Sequence, residues 1–198
     1  MEQRDPRFKR KVCNLRPNAV IQKRSMALRI PEKLLDLIRS HSAREYPNEC
    51  CGCLVGKEVD SVKEVREVTA LVNLRGRSAR ADELLPLEAP DRESERNRFL
   101  IDPDDLRRVE QEARRRKLEI LGFYHSHPDH PARPSDYDRD HAFPWYSYVI
   151  IAVEAGRPGV YASWMLREDR SAFDAESVEV AGSKTRDDAA SGQAPEAC

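Results

Sequence analysis

The longest unbroken apolar run in this 198-residue chain, Val149–Val153, is five residues long, while 35% of all residues are charged. A membrane-spanning helix needs about 20 consecutive apolar residues. The core must therefore be assembled from several short strands and one-sided helices, and no membrane partner is expected. The length suits one domain of about 100–150 residues with extensions. No apolar signal-peptide core stands at the N-terminus, and the five cysteines form no even set for a disulfide scaffold. A reducing, cytoplasmic setting follows as the expectation.

Charge divides the chain. Lys and Arg number 34 and Asp and Glu 35, a formal net of -1. Residues 1–25 hold eight of the basic residues and only Glu2 and Asp5 of the acids. Without helical or strand periodicity, this stretch reads as a disordered basic extension. The remainder carries 26 basic against 33 acidic residues, an excess of seven negative charges. An acidic unit of this kind gives no reason to expect nucleic acid as a partner. The Ser, Asp, Ala and Gly of residues 183–198 read as a disordered tail. The folded domain is expected over residues 26–182.

Hydrophobic period sets the expected elements. Pro31 to about Glu45 reads as a helix, with Leu34, Leu35, Leu37 and Ile38 as its stripe and Pro47 as its stop. Cys50–Val55 and Val62–Leu74 read as a β-hairpin turning near Lys57–Ser61. Arg75–Arg98 is polar, interrupted by Pro86 and Pro90, and reads as a long loop of the kind that often carries function. Asp102 caps a second helix that has Pro103 at its first position, ends near Lys117 and turns Leu106, Val109 and Ala113 inward. Strands are expected over Glu119–Tyr124, Tyr146–Val153, Val160–Leu166 and Phe173–Val180, with a short helix over Ser135–Ala142. Helices interleaved with strands give an α/β (α+β) class built on a central mixed β-sheet flanked by helices.

Four of the five histidines, His125, His127, His130 and His141, fall within seventeen residues. His125 and His127 are two apart at a strand end, so an extended chain turns both imidazoles to one face. Asp138 stands eleven residues after His127, in the first turn of the expected short helix, where a loop can return it to the pair. Two His and a carboxylate with a fourth position open is a catalytic zinc set. His141 shares a helix face with Asp138 and competes as a ligand; His130 reads as a loop residue. Ser135-x-x-Asp138 is also a capping box, and the two roles are compatible. Cys50, Cys51 and Cys53 lack the paired spacing of a thiolate zinc site and read as small buried residues.

His-Ser-His, seven residues, Ser, two residues, Asp resembles the zinc signature of the JAMM (MPN-plus) metallopeptidases. Pro47-Asn48-Glu49-Cys50-Cys51-Gly52-Cys53-Leu54-Val55-Gly56 is similar to the Pro-x-Glu-x-Cys-Gly-x-Leu-x-Gly motif of its bacterial members. The resemblance covers about residues 26–180 and implies the MPN/JAMM, cytidine-deaminase-like fold. It implies Zn²⁺ held by His125, His127 and Asp138. It implies Glu49 as general base and Ser135 as a hydrogen-bond donor to the oxyanion. Burial would raise the Glu49 pKa and zinc would oppose the rise. The implied reaction is hydrolysis of the amide after the C-terminal Gly-Gly of a ubiquitin-like or sulfur-carrier protein. Two other readings share the layout. A non-catalytic MPN scaffold usually lacks motif residues, and all five are present here. A RadC-like, DNA-repair-associated protein usually has Asn between the histidines, where this chain has Ser126.

Overall fold

The structure is a computed structural model that describes residues 27–75, 84 and 98–182. The expected basic extension, the expected tail and nearly all of the expected Arg75–Arg98 loop lie outside the described residues. The elements in order are β1 (Ala27–Pro31), α1 (Glu32–Glu45), β2 (Cys51–Val59), β3 (Val62–Leu71), α2 (Pro103–Arg115), β4 (Glu119–Pro128), α3 (Asp136–His141), β5 (Ser147–Glu154), β6 (Arg157–Leu166) and β7 (Phe173–Ala181).

The strands run β1-β3-β2-β4-β5-β6-β7 around the sheet, and β1 closes it by pairing with β7. The sheet is mixed, as expected: β1 is parallel to both β3 and β7, and β4 is parallel to β5. The remaining neighbours are antiparallel. Closure was not legible in the sequence because β1 is only five residues long and lies directly against the helix. Pro31 ends that strand and occupies the N-cap position of α1, rather than the first turn of the helix.

Helix α1 packs on one side of the sheet. Leu34, Leu35 and Ile38 meet Leu28, Leu54, Val65, Tyr124 and Ile151 in the main core. Leu37 departs from the expected stripe and is 56% exposed. The buried set continues instead through His41 and Ser42, the i, i+3/i+4 row of Ile38. His41 is satisfied there: its Nδ1 lies 2.9 Å from the Tyr124 hydroxyl. Helix α2 covers the other side of β2 and β4. Leu106, Val109 and Ala113 pack with Cys53, Val55 and Phe123, the inward set that the sequence indicates. Its start is also as expected, with the Asp102 side chain accepting from Asp104 N at 2.9 Å. No helix among the described residues is long and apolar enough to cross a membrane.

A buried polar chain ties four strands together. Lys63 Nζ donates to Trp145 O at 3.0 Å and to Ser147 Oγ at 2.9 Å. Ser147 and Ser163 each donate to a different oxygen of Glu176, at 3.0 and 2.6 Å. Burial pushes the Lys63 ammonium down and the Glu176 carboxyl up from their ordinary values. Each polar atom has a partner, so the cost of burial is contained.

Strand β4 is longer than its apolar run indicates. It continues through His-Ser-His to Pro128 because β5 accompanies it residue by residue, with His125 opposite Ile150 and His127 opposite Ala152. Gly122 makes that pairing close: a Cβ built there would lie 2.0 Å from Ser147 O. Backbone cannot yield to a side chain at that distance. Gly122→Ala should therefore lower the unfolding free energy by about 2 kcal/mol or more, as read by urea denaturation. An unchanged midpoint would contradict this account of the β4–β5 contact.

Candidate metal centre

Strand alternation places the first two site residues. His125 and His127 project from the same face of β4, both buried, with Ser126 on the reverse. Burial holds both imidazoles below their ordinary pKa, so both are neutral near pH 7. His127 Nδ1 donates to Pro131 O at 2.8 Å, which leaves its Nε2 with a lone pair. That Nε2 lies 3.0 Å from His125 Nε2.

The third residue is placed by a helix cap. Ser135 Oγ accepts from Asp138 N at 3.2 Å, and Asp138 Oδ2 accepts from Ser135 N at 2.7 Å. The Ser135 hydroxyl donates to the same oxygen at 2.6 Å. This reciprocal capping box fixes the carboxylate as it starts α3. Asp138 Oδ1 then stands 3.4 Å from His125 Nε2, and Oδ2 stands 3.8 Å from His127 Nε2. Burial works against the carboxylate charge. The facing His125 and the Ser135 hydrogen bonds outweigh it and hold Asp138 below its ordinary pKa.

These three residues form one cluster whose ligand atoms all lie within 4.8 Å of one another. A tetrahedral centre with ligands at zinc distances has edges of about 3.4 Å. The 3.0 Å between the two Nε2 atoms and the 3.4 Å from His125 Nε2 to Asp138 Oδ1 lie near that value, and His127 Nε2 stands 3.8 Å from the other carboxylate oxygen. Two neutral imidazoles and a carboxylate turn acceptor atoms toward one point, and that donor chemistry fits a divalent cation. His125 Nδ1 is buried without a partner among the described residues.

His141, the competing ligand, points elsewhere. It is exposed, donates from Nδ1 to Tyr137 O at 2.8 Å, and stacks on the Tyr137 ring with centroids 4.0 Å apart. Cys50, Cys51 and Cys53 are buried and free, and none joins a metal-type cluster among the described residues. Cys50 lies in the α1-side core and Cys53 in the α2-side core, the opposite faces that alternation indicates. Burial raises all three thiols, Cys53 to about 12.

Glu49 precedes β2 and is 5% exposed. Burial first, and the Asp138 carboxylate second, push it up to about 9, against the pull of Arg98 and Arg75. Burial thus wins over the basic residues, and a cation at the three ligands would draw the value down again. Glu49 lines a cleft of about 340 Å³ with His127, Ser135, His130, Arg98 and Arg133. On the other side of Asp138 lies a mainly apolar pocket of about 190 Å³, walled by Phe99, Leu106, Phe123 and Phe143.

Several of these residues carry no signal in sequence. Phe99 lies 4.9 Å from the His125 ring, centroid to centroid. Tyr137 is held between Arg75 and Arg98, whose guanidinium carbons lie 5.4 and 4.7 Å from its ring centre. Arg75 also donates to the Tyr137 hydroxyl at 3.1 Å. Arg75 and Arg98 bound the segment read as a functional loop, so its two ends do reach the site. The polarity of that stretch concealed the contacts of the individual residues.

The family described as prokaryotic homologues of the JAB domain matches residues 31–167. A protein of Thermus thermophilus named a probable TtuB-protein conjugate cleaving protease is 32% identical over 132 residues, covering 67% of this chain and 74% of that one. A desampylase of Pyrococcus furiosus is 30% identical over 120 residues, 61% of this chain and 68% of the relative. Among solved structures, a protein of Desulfitobacterium hafniense superposes with a TM-score of 0.60 at 29% identity, over 77% of this chain and 92% of its own. One of Salinibacter ruber gives 0.55 at 34% identity, over 79% and 92%. The chain belongs to the prokaryotic JAB-domain family, the JAMM-type branch of the MPN fold.

Proposed function

We propose that this protein is a zinc-dependent peptidase that hydrolyses the amide bond after the C-terminal Gly-Gly of a ubiquitin-like or sulfur-carrier protein. The observation that carries the reading is the convergence of His125, His127 and Asp138 within 4.8 Å, with His127 on the wall of a cleft that the buried acid Glu49 also lines. The activities for which the relatives are named, cleavage of TtuB conjugates and desampylation, are of the same kind.

In this reading His125, His127 and Asp138 hold the metal. When bound, it supplies Lewis acidity and lowers the pKa of a coordinated water toward neutrality. Glu49 takes a proton from the attacking water as the water oxygen bonds to the carbonyl carbon. It then hands that proton to the amine nitrogen as the C–N bond breaks. Low exposure suits this work, because it brings a carboxyl toward the pKa range in which it can both accept and donate. Ser135 lines the same cleft. Its hydroxyl donates to Asp138 Oδ2, while the Ser135 N–H also holds that oxygen. The hydroxyl can thus turn to a developing oxyanion without freeing the ligand carboxylate. A Gly-Gly tail suits buried ligands because it brings backbone without side-chain bulk.

Two outcomes test this reading. Glu49→Gln should keep the metal content of the wild type while kcat on a carrier fused through Gly-Gly falls by about 10²–10⁴-fold; retained turnover would remove Glu49 as the base. Dialysis against a chelator should abolish cleavage and lower the thermal midpoint, and adding one equivalent of Zn²⁺ should restore both. Cleavage that survives metal removal would rule out a metallopeptidase.

A further inference from the structure

Asn73 follows β3 and is 3% exposed. Neither the motif nor the reaction outlined above uses it. Its carboxamide makes four hydrogen bonds, all to backbone. Nδ2 donates to Glu49 O at 3.0 Å and to Arg98 O at 3.1 Å. Oδ1 accepts from Arg75 N and from Leu100 N, both at 3.0 Å. The partners dictate the amide orientation, since carbonyls only accept and backbone N–H groups only donate. Its full hydrogen-bonding capacity is spent.

The partners are what make this residue more than a buried polar side chain. Glu49 and Cys50 lie outside the strand ladder, which begins at Cys51, so sheet pairing does not set where the Glu49 side chain stands. Two residues hold this short segment, Ser126 through both its backbone and its side chain and Asn73 through its side chain. From the metal strand, Ser126 Oγ accepts from Cys50 N at 2.9 Å, and Ser126 N donates to Cys50 O at 3.1 Å. From the other side, Asn73 holds the Glu49 carbonyl. The same carboxamide grips the residues on either side of Phe99, at the Arg98 carbonyl and the Leu100 N–H. That grip seats the Phe99 ring 4.9 Å from His125 and leaves Arg98 on the cleft wall.

We propose that Asn73 is the positioning residue of the site: one carboxamide that sets the Glu49 segment and the Phe99 cover of His125 in fixed relation to each other. The proposal rests on Glu49 being the base. It predicts that Asn73 acts on turnover through Glu49 and not through metal binding. No other side chain of this size offers two donors and two acceptors. Asp is the informative replacement, because it keeps the acceptors for Arg75 N and Leu100 N and loses both donors, releasing Glu49 O and Arg98 O.

The test is a double-mutant cycle on the full chain loaded with zinc, using a Gly-Gly carrier fusion. Asn73→Ala should keep one zinc per chain, leave KM within about threefold, and lower kcat by about 30-fold or more, the scale expected when a reacting group is misplaced by about 1 Å. In the Glu49→Gln background the same change should alter the residual rate by less than about threefold. An equal loss in both backgrounds would make Asn73 merely structural and overturn the proposal, as would an unchanged kcat in Asn73→Ala. If Asn73→Ala does not fold, Asn73→Asp replaces it in both backgrounds, and the same losses support or overturn the proposal. A zinc-loaded wild type that cleaves no carrier would refute the peptidase reading and this inference with it. A wild type that cleaves while the cycle fails would refute the inference alone.

Discussion

A helix of six residues has no stability of its own in water, and α3 exists because Ser135 and Asp138 cap it reciprocally. The same hydrogen bonds that start the helix fix the Asp138 carboxylate facing His125 and His127. Structure and site are therefore one set of contacts. Loss of the cap would free the carboxylate as it frayed the helix, and the two imidazoles would lose the carboxylate they face.

The surrounding closed sheet supplies the other half of the constraint. Strand β4 sits between β2 and β5, so His125 rises from a strand paired on both sides and His127 from its continuation along β5, and the pleat fixes their direction. Glu49 is brought alongside two residues before β2, ahead of the strand ladder, and hydrogen bonds from Ser126 and Asn73 hold its segment. Burial then makes the cluster electrostatically unsettled without a cation. It raises Glu49, depresses both histidines and opposes the Asp138 charge. A divalent ion reverses that balance, favouring the ionised carboxylates and using the neutral imidazoles as they stand.

Much of this was legible in sequence, for identifiable reasons. Period two carried His125 and His127 to one face, and Ser-x-x-Asp announced a cap. Pro103 after Asp102 marked the start of α2. The parts that escaped depend on long-range pairing. Closure through β1 and β7 leaves no trace in a five-residue strand. The extension of β4 to Pro128 comes from its partner β5, not from its own composition. Leu37 shows the limit of reading a stripe by eye, since His41 and Ser42 take the buried positions that apolarity would have assigned to it. Asn73 and Phe99 stand in polar or irregular sequence, and only their partners give them meaning. His141 shared a helix face with Asp138, yet stacking on Tyr137 turned it away.

We propose that two imidazoles and one carboxylate, not the neighbouring thiols, hold the metal. X-ray absorption at the zinc edge of the metal-loaded protein tests it most directly. The account predicts nitrogen and oxygen neighbours at about 2.0–2.2 Å, with the outer scattering pattern of imidazole and no sulfur. A sulfur neighbour at about 2.3 Å would contradict it, by placing the metal on Cys50, Cys51 or Cys53.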